Sequence, residues 1–133
     1  ESQVSCWSQV SAGGVPIARL METDPAWRGL DLGELEDAAR GAGWGILCGK
    51  GSTEFGIGNS AAQILQAIQG DEGRVLPVSI PVDGKDGGVF ASLPCVLGKN
   101  GVERILHPRL DPEEQARFDA SLARMEEYWK TIQ

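Results

Sequence analysis

The sequence predicts one α+β domain over residues 1–133, in which an antiparallel sheet packs against long helices. Three observations predict this class. Apolar residues recur at helical spacing in three separate stretches, and strand-like stretches cluster between residues 75 and 106. An Asn100-Gly101 pair within that cluster is typical of a hairpin turn, because both residues tolerate positive φ. The length suits a domain with one modest core.

The N-terminal part of the chain predicts small elements. Residues 4–15 mix β-branched and small residues, which predicts short strands around Gly13-Gly14. Residues 17–21 follow a proline and predict one or two helical turns. Residues 22–30 contain proline, glycine and charges, and therefore predict a loop.

The first long helix is unusual for its glycines. It begins at Asp31, which has the spacing of a capping box with Glu34. Its apolar stripe consists of Leu32, Leu35, Ala39, Ala42 and Ile46. Gly41, Gly43 and Gly45 each cost a helix about 1 kcal/mol relative to alanine. Two explanations stay open: either the helix ends before these glycines, or its backbone packs closely against a neighbouring element.

The middle of the chain predicts a second helix and then three strands. The apolar face of this helix consists of Ile57, Ala61, Ile64, Leu65 and Ile68. The strands are expected at residues 75–82, 89–97 and 102–106. Pro77 and Pro81 restrict the first strand to a sheet edge or to irregular pairing, because proline cannot donate to a ladder.

The last helix carries its own start signal. Asp111 is a capping residue, Pro112 fits the first helical position and Glu114 completes the capping box. The expected buried face of this helix consists of Phe118, Leu122, Met125, Trp129 and Ile132.

Composition excludes several classes of protein. The net charge is −7 and no Lys/Arg cluster is present, so nucleic-acid binding through phosphates is not expected. No apolar run approaches the roughly 20 residues that span a bilayer, and the N-terminus shows no basic segment followed by an apolar one, so we expect a cytoplasmic protein without membrane contact.

The residue types most often used in chemistry form no cluster in the sequence. Cys6, Cys48 and Cys95 are widely spaced without CxxC pairs, so we expect no metal site and no disulfide framework, and apolar neighbours predict buried, inert thiols. His107 is the only histidine and has the sequence context of a surface or structural residue. The carboxylates of the helices are expected to be caps or solvated surface groups, namely Glu34, Glu36, Asp37, Glu113, Glu114, Glu126 and Glu127.

A glycine-rich joint precedes the second helix. Gly56, Gly58 and Ala61 match GxGxxA, with Asp83 near the place of a ribose-binding acid. We disfavour a dinucleotide-binding fold here, because the preceding segment has the stripe and cap of a helix and no further βαβ units follow. Because glycine has no side chain, the backbone at these positions either leaves room for a ligand or another chain, or allows close packing between helices. The residues alone leave both explanations open.

Four ordered segments carry a resemblance to a known family. They are SQVSCWSQVSAGGVPI, GKGSTEFGIGNSAAQI, the pair RVLPVSIPVDG and VFASLPCVLGKNGVERIL, and the closing LDPEEQARF. Together they resemble the C-terminal, substrate-side domain of the lactate/malate dehydrogenase family. LDLGELEDAARGAG also looks like L-2-hydroxyisocaproate dehydrogenase.

The resemblance implies an NAD-dependent L-2-hydroxyacid dehydrogenase whose N-terminal dinucleotide-binding domain lies outside this chain. In that family a histidine paired with an aspartate moves the hydroxyl proton, and an arginine binds the substrate carboxylate. The histidine is expected just upstream of Glu1, so this chain alone is expected to be inactive. The implied partners are a 2-oxo or 2-hydroxy acid, the N-terminal domain, and further copies in a homodimer or homotetramer.

Three residues correspond to family site positions. Thr53 matches a substrate-pocket threonine of lactate-type members, and Ile57 matches the apolar residue packed on the nicotinamide ring. Gly43 matches a pocket-wall position that is commonly alanine, so its missing methyl would widen the pocket for longer 2-oxo acids. Lactate and a longer or branched 2-hydroxy acid both stay open. The alternatives are a malate dehydrogenase, which Thr53 disfavours, and a non-catalytic oligomerisation or interaction domain.

Overall fold

The computed structural model describes residues 3–82 and 88–131 of the chain. It divides into two compact units. The first consists of Glu1–Gly51 with Arg109–Ser121, and the second of Ser52–Pro108 with Leu122–Gln133. Helices and antiparallel strands occupy separate stretches of the described residues, which confirms the α+β class.

The first unit opens with a short hairpin and a short helix. A 3₁₀ turn at Trp7–Gln9 occupies part of the region predicted as strand. Strands β1 (Ser11–Ala12) and β2 (Val15–Pro16) pair antiparallel. Both residues of the connecting turn, Gly13 and Gly14, have positive φ, which suits glycine in a two-residue hairpin.

Two helices follow in the first unit. Helix α1 (Ile17–Thr23) buries Ile17. Helix α2 (Leu32–Lys50) starts at the predicted cap, where Asp31 Oδ1 accepts from the backbone N–H of Gly33 at 2.8 Å and of Glu34 at 3.0 Å. It ends at Gly51, which adopts the left-handed conformation that glycine allows.

Helix α2 does not follow either explanation offered for its glycines. It continues through Gly41, Gly43 and Gly45 to Lys50. A Cβ at any of these glycines would meet no atom of the described residues within 4 Å, so close packing against a neighbouring element does not explain them there. All residues from 41 to 50 are exposed. Ile46 of the apolar stripe is among them and is 49% exposed.

The second unit contains helix α3 and a three-stranded antiparallel sheet. The elements are α3 (Glu54–Gln69), β3 (Arg74–Pro81), β4 (Phe90–Gly98) and β5 (Gly101–Ile105). The strand order is β3-β4-β5, which confirms β3 as an edge strand. Burial alternates along β4, which contacts α3, and the buried core includes Ala67, Ile80, Leu93, Cys95 and Leu97.

Proline explains where β5 ends. On one side of β4, Pro94 lies opposite Pro77 of β3. On the other side, the Pro94 carbonyl accepts from the N–H of Leu106, the residue after β5, at 2.8 Å. An antiparallel hydrogen-bonded pair exchanges two bonds, but Pro94 has no N–H to return. The ladder therefore stops after Ile105. At the other end the hairpin turn consists of Lys99 and Asn100, one residue earlier than predicted, and Gly101, at φ 90°, begins β5 opposite Gly98.

Helix α4 (Pro112–Thr131) is capped as predicted but less buried than expected. Asp111 Oδ1 accepts from the N–H of Glu113 at 2.9 Å and of Glu114 at 2.8 Å. Phe118 and Leu122 are half-buried. The expected burial of the remaining described face is wrong, since Met125 is 41% and Trp129 40% exposed. Ile132 lies outside the described residues.

Within the described ranges, no helix combines the length and the hydropathy that crossing a bilayer requires.

Candidate functional site

Thr53 and Ile57 lie at the start of α3. Thr53 precedes the helix and its side chain does not cap it, so its hydroxyl does not serve a helix terminus. The Thr53 carbonyl accepts from the N–H of Ile57 at 3.5 Å. The Ile57 side chain is 69% exposed. The start of α3 therefore presents one hydroxyl and one aliphatic side chain that a ligand or another polypeptide can contact.

The backbone around Ile57 is open on both sides. Gly56 and Gly58 flank it, and a Cβ at either position would meet nothing within 4 Å. Phe55, next to them, is 76% exposed. This stretch combines exposed apolar side chains with bare backbone, which allows a flat apolar group to lie close to the helix.

Gly43 lies in the exposed C-terminal half of α2, beside Trp44, which is 70% exposed. A methyl group at Gly43 would meet no atom within 4 Å. Gly43 belongs to the first unit, while Thr53 and Ile57 belong to the second. That the three residues line one pocket stays a prediction.

The alternative based on GxGxxA finds no strand to support it. Gly56, Gly58 and Ala61 lie inside α3, and Trp44 to Cys48, the segment that would have to be the strand in front of them, lies in α2. Asp83, the proposed ribose-binding acid, lies outside the described residues. His107 is exposed, as expected of a surface residue, and follows β5 without joining a described cluster.

Two carboxylates are buried, which their sequence context did not predict. Glu114 is 5% exposed and accepts from the N–H of Ser8 at 2.8 Å, from the Ser8 hydroxyl, and from the N–H of Asp111 at 3.2 Å. Glu36 is 8% exposed and pairs with Arg40 at 2.8 Å and with Arg117 at 2.5 Å. The expectation of solvated surface groups is therefore wrong for Glu36, while Glu114 is both a cap residue and a long-range acceptor.

The partners of these carboxylates set their pKa values. The hydrogen bond from Arg117 is the main reason why the pKa of Glu36 lies below its ordinary value of 4.5. Burial alone would raise the pKa of Glu114, but the hydrogen bonds from Ser8 and the backbone outweigh it and lower that pKa. Both groups are therefore held as carboxylates.

Part of the ion pairing of Glu36 could have been predicted from the sequence. Its i+4 neighbour is Arg40, an arrangement that sequence reasoning can pair. Arg117 is 81 residues away, and only the fold brings it to Glu36.

The three cysteines differ in environment. All are free; Cys95 is buried, Cys6 is half-buried and Cys48 is exposed. Burial raises the pKa of Cys95 and is the main cause of the raised pKa of Cys6. The prediction of buried thiols is confirmed for Cys95 and wrong for Cys48. No group of three or more His, Cys, Asp or Glu side chains in the described part is placed to hold a metal ion.

Comparison with known proteins decides the family. A family model for the lactate/malate dehydrogenase alpha/beta C-terminal domain matches residues 1–133. The chain belongs to this family. It is similar to L-lactate dehydrogenase 3 of Bacillus anthracis, at 36% identity over 99% of this chain and 43% of that protein. It is also similar to L-lactate dehydrogenase of Fusobacterium nucleatum subsp. nucleatum, at 37% identity over 96% of this chain and 41% of that protein.

Solved structures agree with the sequence match. The minor L-lactate dehydrogenase from Enterococcus mundtii, in its ligands-bound form, superposes with a TM-score of 0.86 at 31% identity. The match covers 100% of this chain and 43% of that one. This member of the lactate/malate dehydrogenase family therefore spans less than half the length of the curated relatives that it matches.

Proposed function

We propose that this chain is the substrate-side domain of an NAD-dependent L-2-hydroxyacid dehydrogenase acting on L-lactate or on a longer or branched 2-hydroxy acid. The observation that carries the proposal is the match of a C-terminal domain model to residues 1–133 of a chain whose relatives are named L-lactate dehydrogenases. Hydride would pass between NAD and carbon 2 of the acid. The proton-transferring histidine, its aspartate and the carboxylate-binding arginine would lie upstream of Glu1.

The residues of this chain fit one part of the cofactor. Ile57 is 69% exposed and flanked by bare glycine backbone, so its side chain could cover a nicotinamide ring and exclude water from it. NAD, when bound, supplies or accepts the hydride. The rest of the dinucleotide would be held by the N-terminal domain, since the described residues contain no βαβ unit.

Thr53 and Gly43 would act on the other substrate. The Thr53 hydroxyl, which caps no helix, would line the pocket and can hydrogen-bond a polar group of the acid. Gly43 would leave space for a longer side chain on the acid, because it contributes no methyl group to the wall. Thr53 would suit lactate-like substrates and Gly43 would admit larger ones, so both substrate classes stay in the proposal.

The exposed apolar side chains are consistent with further partners. Ile46, Leu47 and Leu65 are 40–57% exposed, which is unusual for residues on helix faces that carry apolar stripes. We propose that the N-terminal domain and other copies of the protein, in a homodimer or homotetramer, cover such faces. A cytoplasmic location follows from the proposed cofactor and from the free cysteines.

The proposal is tested on the complete natural polypeptide that contains these 133 residues. NADH oxidation is measured with pyruvate, 2-oxoisocaproate and oxaloacetate, beside the 133-residue piece alone. We expect turnover with pyruvate or 2-oxoisocaproate and none from the piece alone. Preference for oxaloacetate would favour malate dehydrogenase, and inactivity with every 2-oxo acid would favour the non-catalytic interaction domain.

A further inference from the structure

A buried carboxylate joins the N-terminal segment to the start of α4. Glu114 accepts from both the N–H and the hydroxyl of Ser8, which lies 106 residues earlier in the chain. Beside it, Gln9 Nε2 donates to the carbonyl of Arg109 at 2.6 Å. We call the two bonds from Ser8 to Glu114 the Ser8–Glu114 tether. All of these residues belong to the first unit.

The geometry assigns Glu114 more than a capping role. Its bond to the capping residue, from the N–H of Asp111, measures 3.2 Å, whereas its bond from the N–H of Ser8 measures 2.8 Å. The Asp111 carboxylate already caps α4 by accepting from the N–H groups of Glu113 and Glu114. The Glu114 carboxylate is 5% exposed, and its shorter hydrogen bonds are those to the distant segment that contains Ser8. Such charge-assisted bonds are about twice as strong as neutral ones.

The same segment has further fixed points. Downstream, the N–H of Ile17 donates to the carbonyl of Val10 at 2.9 Å, and Ile17 itself is buried. Residues 8–17 are therefore held at several points, and Glu114 accepts two of these bonds, both from Ser8.

We propose that Glu114 is a positioning residue for the catalytic histidine, acting through the Ser8–Glu114 tether. This inference rests on the proposed function, which places that histidine just upstream of Glu1. A histidine in such a loop can reach the substrate hydroxyl only if the chain that follows it is fixed. Misplacement of a reacting group by about 1 Å can cost 100-fold in rate.

The test uses four variants of the complete polypeptide: Glu114→Gln, Ser8→Ala, Ser8→Thr and Asp31→Ala. Ser8→Thr keeps the hydroxyl donor, so it is the matched control for Ser8→Ala. Asp31→Ala removes the cap of α2 and leaves the tether intact, so it is the control for general loss of stability. Turnover is measured well below the melting temperature, with hydrogen exchange of the Ser8 amide.

Glu114→Gln is expected to lower kcat about 5- to 20-fold while the KM of the 2-oxo acid changes less than about 2-fold, because orientation and not binding is lost. Ser8→Ala should lose activity that Ser8→Thr retains, and the Ser8 amide should exchange faster in Glu114→Gln than in Asp31→Ala.

Two results would overturn the inference alone: equal kcat losses in Glu114→Gln and Asp31→Ala, or Ser8→Thr as impaired as Ser8→Ala. A wild-type protein that is inactive with every 2-oxo acid would instead refute the proposed function, and the positioning role would fall with it. In that case, faster Ser8 exchange in Glu114→Gln would show that the tether is only a structural contact.

Discussion

Gly43→Ala, made in the complete polypeptide, is the substitution that separates a pocket wall from an ordinary helix position. The added methyl would meet nothing within 4 Å in this chain, so it carries no steric cost here and improves helix propensity by about 1 kcal/mol. If Gly43 lines the substrate pocket, the same methyl takes space from a bulky substrate. One methylene in a pocket is worth about 1–3 kcal/mol of discrimination.

The ratio of kcat/KM for pyruvate to that for 2-oxoisocaproate should therefore rise by about 10- to 200-fold in Gly43→Ala. Gly45→Ala is the matched control, because it lies in the same helix with equally open space and gains the same propensity. Both variants should raise the melting temperature by a similar amount. An unchanged ratio in Gly43→Ala, or the same change in Gly45→Ala, would refute the assignment of Gly43 to the pocket.

Three further predictions follow from the described contacts. Asp31→Ala should destabilise the protein by about 1 kcal/mol in urea unfolding, because two N–H groups of α2 lose their acceptor; no change would mean that the cap is not formed. Because the pKa of Glu36 is lowered in the folded state, its ion pairs stabilise the fold at pH values above the ordinary pKa of 4.5. That stabilisation is lost as the pH falls through the folded-state pKa. The melting temperature of Glu36→Gln should therefore be lower than wild type at pH 7 but fall less between pH 5 and pH 3, and parallel curves would contradict the ion pair. In the native protein a maleimide should modify Cys48 at least about 100-fold faster than Cys95, and equal rates would contradict their different burial.

Local signals in the sequence predicted much of the fold. The caps at Asp31 and Asp111 were predicted from residues within one helical turn, and both form with bonds of 2.8–3.0 Å. Pro77 and Pro81 placed β3 at the sheet edge, because a missing N–H is a local property.

What the sequence could not predict depends on distant residues. Glu36 looked like a surface carboxylate, because its partner Arg117 is 81 residues away. Trp129 has the periodicity of a core residue, yet it is 40% exposed in this chain. Periodicity identifies an apolar face but does not say which polypeptide covers it.

The candidate site was predicted by resemblance and not by residue pattern. Thr53, Gly43 and Ile57 form no motif by themselves, and a threonine, a glycine and an isoleucine carry no catalytic chemistry. Their exposure is compatible with a site completed by other polypeptide, which is also why physical reasoning on this chain alone could not find it.

The most direct test of this account is a crystal structure of the complete polypeptide with NADH and oxamate, an unreactive analogue of pyruvate. The Ile57 side chain is expected to contact the nicotinamide ring at about 4 Å, with Thr53 and Gly43 lining the oxamate pocket. A histidine from upstream of Glu1 is expected at the reacting carbon. Oxamate bound elsewhere, with Ile57 remote from the nicotinamide, would contradict it.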